Sequence, residues 1–135
     1  MSIEENKQIV QRYQDAYNHN ELDALEQIMV DEVLTPTSLS GFPPGLEGAK
    51  AIHRKTLIGM PDIHTEINEL IAEGDKVVAR CTMTGTHSGD FFGIPASGKR
   101  ISVNAVYIVR IAAGRIVEHW GLEDVDTLLK QLGVR

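Results

Sequence analysis

Gly85-Thr-His-Ser-Gly-Asp-Phe-Phe-Gly-Ile-Pro-Ala-Ser-Gly-Lys-Arg-Ile101 is the stretch on which the reading of this chain turns, and Ile116-Val-Glu-His-Trp120 follows it fifteen residues later. The first segment is rich in glycine and breaks a region of period two. Runs of alternating apolar and polar residues lie on both sides of it, and such alternation marks half-buried strands. From Asp62 onward the same period recurs, punctuated by Glu73-Gly-Asp75, by residues 85 to 98 and by Ala112-Ala-Gly114, which predicts four strands.

Upstream the period becomes helical. Ser2 and Glu5 stand at capping-box spacing, and Ile9, Val10, Tyr13, Ala16 and Tyr17 fall on one face, predicting a first helix that packs against a sheet. Asn20 is placed as the N-cap of a short second helix with Leu22, Leu25 and Ile28 turned inward. Residues 35 to 46 hold three prolines and two glycines and read as a loop, a candidate lid. Residues 47 to 58 read as a third helix, and Val125 to Leu132 as a short last one. No repeat, linker or low-complexity segment interrupts the 135 residues, so residues 1–135 are expected to form a single domain with one core. Three N-terminal helices before antiparallel strands define an α+β domain, with helices on one side of a curved sheet.

Composition narrows the partners. A net charge of −6 without a basic stripe speaks against nucleic acid, whose phosphates demand clustered Lys and Arg, and favours a small apolar organic ligand. Cys81 is the single cysteine, so no intrachain disulfide forms, and its place in an alternating run predicts a buried, inert thiol. No basic segment followed by an apolar run opens the chain, and no stretch has the length of a membrane span. A cytoplasmic protein without a membrane partner is therefore expected. His19, His53, His64, His87 and His119 show neither HxH nor HExxH spacing, and GxGxxG, GxxxxGK[ST] and GxSxG are absent. No metal and no cofactor are expected.

The ordered set Gly-Thr-His-x-Gly-x-Phe-x-Gly-x-Pro beginning at Gly85, a basic residue after Gly98, then Glu118-His-Trp120, Asp124 and Gln131-Leu-Gly133 resembles the SnoaL-like polyketide cyclases. Met60-Pro-Asp-Ile-His64 and Glu73-Gly-Asp75 fit as well, so the resemblance covers at least residues 60 to 133. Where that family usually has Pro-Thr, this chain has Ala96-Ser97. Because Pro fixes φ and removes a backbone donor, the loop here is expected to be less rigid, with an altered mouth to the site. The resemblance implies an NTF2-like cone in which sheet and helices enclose a deep apolar pocket. It also implies cofactor-free, aldol-type ring closure of a polyketide-like compound, and a homodimer packed through its sheets.

Ring closure of that kind removes a proton from a carbon beside a carbonyl and delivers one to the oxygen that becomes hydroxyl. One carboxylic acid or imidazole can serve both steps. The catalytic candidates are Asp124, His119 and His87. In the family resembled, an Asp near the end of the last strand is the acid–base residue, and Asp124 is the nearest match; it also stands immediately before a helix, where Asp is a preferred cap. Strict alternation sets His119 with Val117 and Gly121, and Glu118, Trp120 and Asp124 on the other face, so His119 and Asp124 compete unless the strand is bulged. His119 has a second reading as a hydrogen-bonded histidine under the helices or at a dimer sheet. His87 closes the strand Lys76 to Thr86 and shares parity with Val77, Ala79, Cys81 and Met83.

Arg80, on the face of Thr82, Thr84 and Thr86, is a candidate to bind a carboxylate, ester carbonyl or enolate, or else to form a surface salt bridge. Aromatic residues are 5% of the chain, so Trp120, Tyr17 and Tyr107 are candidate substrate-binding walls, with core packing as the alternative. Phe91 and Phe92 are a ligand wall or a subunit contact. Two other functions compete with a cyclase: a non-catalytic protein that binds an apolar metabolite, and an isomerase or hydrolase of the same fold with Glu118 or Glu123 as a second carboxylate.

Overall fold

In the computed structural model, which describes residues 2–37 and 39–135, the chain forms four α-helices and a five-stranded sheet. The first helix, α1 (Ile3–Asn18), starts at the capping box read from the sequence: the Glu5 amide donates to Ser2 Oγ at 3.1 Å and the Ser2 amide to Glu5 Oε1 at 3.0 Å. Ile9, Val10, Tyr13 and Ala16 are buried on its inner face, as the periodicity requires. At the other end Asn18 grips β2 (His64–Glu73). Its side chain donates to the Thr65 carbonyl and accepts from the Thr65 amide, each at 2.9 Å.

The second helix departs from expectation at its start. Asn20 is not its N-cap but a turn residue in the left-handed region, with φ 58°, a conformation Asn tolerates better than most residues. A 3-10 turn at Leu22–Ala24 follows and leads into α2 (Leu25–Ile28), whose Leu25 and Ile28 are buried. The chain then enters a strand that the sequence reading did not contain, β1 (Met29–Leu34). The loop reading for residues 35 to 46 holds as far as residue 44, apart from Ser38, which lies outside the described residues; α3 (Gly45–Gly59) begins sooner than expected.

The four strands read from the alternation are β2, β3 (Lys76–Thr86), β4 (Arg100–Ala112) and β5 (Arg115–Glu123), and α4 (Val125–Gln131) closes the chain. The sheet order is β1-β5-β4-β3-β2, antiparallel except for the parallel pair β1 and β5. Register shifts opposite Cys81/Arg80 and Arg110/Ile111 leave one extra residue in β2, Asn68, and one in β5, Val117, and such bulges bend strands and increase their twist. Gly74, at φ 60°, makes the tight β2–β3 turn.

The helices cover one face of this curved sheet. Between them lies a core of Ile9, Leu25, Met29, Val77, Cys81 and Ile116, and a smaller cluster of Met60, Ile101, Val103, Leu128 and Leu132 fills the end under α4. Cys81 is buried as expected. Among the described residues no helix is long and apolar enough to cross a membrane.

Candidate active site

A cavity of about 630 Å³ opens between the inner face of the sheet and helices α1, α3 and α4, a size that suits a small organic molecule. Its walls come from the alternation of β4 and β5. His119, Gly121 and Glu123 follow each other on the inner face of β5, and Tyr107 of β4 pairs with Gly121. Gly121 has a steric reason to be glycine: a Cβ there would lie 3.0 and 3.1 Å from two carbons of the Tyr107 ring and 3.3 Å from His119 Cε1. Its bare backbone lets the Tyr107 ring settle across β5, 5.3 Å from the His119 ring.

Helix α1 supplies the opposite wall through Tyr13 and Tyr17, one turn apart, whose rings meet edge to face at 4.9 Å. The Tyr13 hydroxyl lies 2.9 Å from His119 Nε2. Tyr17 meets the ring of His53, also at 4.9 Å, and His53 Nε2 donates to Asn20 Oδ1 at 3.0 Å. The cavity wall therefore carries an unbroken series of rings, His53, Tyr17, Tyr13, His119 and Tyr107, amid aliphatic side chains such as Ile52, Ile63, Met83 and Leu128.

Burial sets the protonation states. Desolvation penalises the charged form, so it lowers His119 from 6.5 to about 4 and keeps the imidazole neutral at pH 7. Desolvation likewise holds His53 below its usual value. The same cause, aided by the neighbouring tyrosines, keeps Tyr13 well above its ordinary range, and it brings Tyr17 to about 12. Tyr107 is raised by burial and by the negative charge of Glu123, whose Oε1 accepts from the Tyr107 hydroxyl at 3.4 Å. Glu123 is at the rim: the residue keeps surface in contact with solvent, yet the protein crowding its carboxyl raises the pKa above 4.5. Among the described lining residues it is the one acid, and no Lys or Arg lines the cavity.

Of the residues singled out in the sequence, Tyr17, Tyr107 and His119 meet in this cavity, and four others stand elsewhere. Asp124 is exposed past the end of β5, where it caps α4. Its carboxylate accepts from the Thr127 amide at 3.1 Å and from the Thr127 hydroxyl at 2.7 Å, and these bonds lower its pKa. Trp120 is on the outer face of the sheet, 43% exposed, with its indole N–H donated to Glu118. Parity is kept along this part of β5, so the face that carries Glu118 and Trp120 turns away from the cavity. Arg80 is exposed on that outer face and pairs with Glu69 at 3.2 Å.

His87 is wholly buried beneath the glycine-rich loop. Its Nε2 donates to the Ile94 carbonyl at 3.1 Å and its Nδ1 lies 2.8 Å from Ser97 Oγ, so both ring nitrogens are committed to fixing the loop. Ser97, at the site of the departure from the family motif, thus anchors the loop through its hydroxyl. Phe91 and Phe92 from the same loop do form part of the cavity wall. Tyr13, His53 and Gly121 complete the site without having been assigned to it, and Glu123, named as a second carboxylate for the rival isomerase or hydrolase, joins them while Glu118 does not. The signals for them were present: Tyr13 stands at i,i+4 from Tyr17, and Gly121 and Glu123 share the parity of His119.

Among the described residues no three His, Cys, Asp or Glu side chains converge as metal ligands would. The architecture is that of a small NTF2-like α+β domain whose cone holds a largely apolar, ligand-sized cavity. Family comparison makes this more specific: the model for the SnoaL-like polyketide cyclases matches residues 7–132, and the chain belongs to that family.

Its relatives include the aklanonic acid methyl ester cyclase DnrD of Streptomyces peucetius, 30% identical over 129 residues that cover 93% of this chain and 88% of DnrD. The nogalonic acid methyl ester cyclase of Streptomyces nogalater is 26% identical, over 87% of this chain and 90% of its own. Among solved structures, TsrD from Streptomyces laurentii superposes with a TM-score of 0.90 at 32% identity, covering 100% of this chain and 99% of TsrD. A SnoaL-like polyketide cyclase from Agrobacterium tumefaciens gives 0.80 at 25% identity, covering 98% and 100%.

Proposed function

We propose that this protein is a ring-closing cyclase that acts by acid–base chemistry on a small, largely apolar polyketide-type ester, with Tyr13 and His119 handling the proton at the carbonyl oxygen. The observation that carries this reading is the 2.9 Å contact between the Tyr13 hydroxyl and His119 Nε2 inside the apolar cavity. A neutral imidazole and a phenol hold two exchangeable protons between them. One makes their mutual hydrogen bond, and when His119 Nε2 donates it the Tyr13 O–H remains to be directed at a substrate oxygen. In a dry cavity such a donor stabilises negative charge on oxygen far better than it would in water. Aldol-type closure is an isomerisation that leaves the oxidation level unchanged, so proton transfers between side chains and substrate account for it without a cofactor.

In this reading Tyr17 and Tyr107 are the walls against which a flat substrate lies. Asp124 and His87 have structural roles, one as a cap and the other as a loop anchor. The names of the relatives support the chemistry, since DnrD and the Streptomyces nogalater protein are methyl ester cyclases. A cytoplasmic location accords with the single buried thiol.

The outer sheet face supports a homodimer as the working form. Ile108 pairs across strands with Trp120, and with Val106 and Ile71 these side chains expose an apolar patch flanked by the Arg80–Glu69 and Arg110–Glu118 pairs. Replacing Ile108 with Lys is expected to yield monomers in sedimentation equilibrium; a wild-type protein that is itself monomeric rules this assembly out.

The function is tested by incubating wild type, Tyr13→Phe and His119→Gln with aklanonic acid methyl ester and nogalonic acid methyl ester. Conversion by wild type and its loss in the variants, with ligand binding retained, is the expected result. Tight binding without conversion by wild type favours a non-catalytic binding protein instead.

A further inference from the structure

We propose that Glu123 is the base that removes the carbon-bound proton, the half of the reaction that Tyr13 and His119 do not perform; this rests on the ring-closure reading above. Glu123 is the one acid among the described lining residues, on the same face of β5 as His119. Tyr107 spans the interval between them: its ring is 5.3 Å from the His119 ring and its hydroxyl donates to Glu123 Oε1 at 3.4 Å. A ligand lying on Tyr107 meets a proton donor at one end and a carboxylate at the other. Val125, Leu128 and Leu129 at the α4 end also line the cavity, and no Lys or Arg is among its described lining residues.

Desolvation and free lone pairs decide which end takes the proton. Burial holds His119 at about 4, and its Nε2 is already engaged with Tyr13. Burial disfavours the charged form of both groups, which for His119 means that taking up a proton is penalised and for Glu123 that taking one up is favoured. It also keeps lone pairs free beyond the single bond from Tyr107.

The steps balance without a co-reactant. Glu123 takes the proton from the carbon beside a carbonyl, and the C–H electron pair becomes the enolate. That carbon forms the new C–C bond to the second carbonyl carbon, whose π pair moves to oxygen. The oxygen takes a proton from the Tyr13–His119 pair, and the proton on Glu123 returns to that pair through water at the open rim.

The test follows α-proton exchange and ring closure separately, by NMR and mass spectrometry in D₂O, with aklanonic acid methyl ester as the probe and folding checked by thermal melting. Glu123→Gln is expected to slow both by about 100-fold or more at little-changed KM, and Glu123→Asp to recover part of the rate. His119→Gln should keep exchange while losing closure. Exchange and closure by Glu123→Gln at wild-type rates would overturn the assignment and leave the cyclase reading standing. Absence of both reactions in wild type overturns the two together.

Discussion

The Tyr13 hydroxyl and His119 Nε2 lie 2.9 Å apart across 106 residues of sequence, joining the first helix to the last strand inside the cavity. Removing either group leaves its partner in an apolar site without its hydrogen bond. His119→Gln is therefore expected to lower kcat by roughly 100-fold or more, the range for loss of a positioned proton-handling group, while KM changes little. Steady-state kinetics on a methyl ester substrate checks this.

Acid sensitivity follows from the same histidine. Its folded-state pKa of about 4 is below the 6.5 of the free side chain, so between those values the unfolded chain binds a proton that the folded chain does not. Stability is thus fully present above pH 6.5 and is lost as pH falls toward 4, by up to about 3 kcal/mol from this group. His53, also depressed by burial, acts in the same direction. Urea midpoints measured from pH 7 to pH 4 should fall, and fall less steeply in His119→Gln.

Asp124 separates a capping role from a catalytic one. Asn is as good a cap as Asp, whereas Ala costs about 1 kcal/mol at such a position. Asp124→Asn is expected to keep near-normal stability and activity, and Asp124→Ala to lose stability but not kcat. Melting curves and turnover on the same samples decide the matter; loss of turnover in Asp124→Asn would return the acid–base role to this residue.

His87 is predicted to matter for folding alone. Its replacement by Ala removes two hydrogen bonds from a fully buried site and leaves a void beneath residues 88–98. The expected cost is about 2–4 kcal/mol in chemical denaturation.

Gly121→Ala addresses the shape of the cavity. The new methyl group would meet the Tyr107 ring at 3.0 Å, too close to accept without movement of the ring. Tyr107 should be displaced into the cavity, raising KM with little change in fold, as substrate titrations and circular dichroism together would show.

Sequence legibility followed the range of the interactions involved. The first helix could be read because its cap and its apolar face are local: Ser2 with Glu5, and Tyr13 one turn before Tyr17. The strands from residue 64 onward were legible for the same reason, through alternation and turn residues. Met29–Leu34 was missed because it follows a helix directly and is held in the sheet by parallel pairing with β5, Met29 opposite Ile116, a partner no local pattern indicates. At the site, the period-two rule placed His119 apart from Trp120 and Asp124, whereas the Glu-His-Trp motif invited all three into one cavity. Geometry followed the period. Trp120 conforms to the motif from the outer face, and of the two further carboxylates named, Glu118 and Glu123, the parity of the strand selects Glu123 for the cavity.

The most direct test of the central claim is product analysis after wild-type protein meets aklanonic acid methyl ester, by chromatography coupled to mass spectrometry. Ring closure by acid–base chemistry predicts a product of unchanged mass and new retention, formed catalytically and abolished in His119→Gln. Recovery of the substrate unaltered, or a product whose mass differs from it by water or by oxygen, would contradict the account.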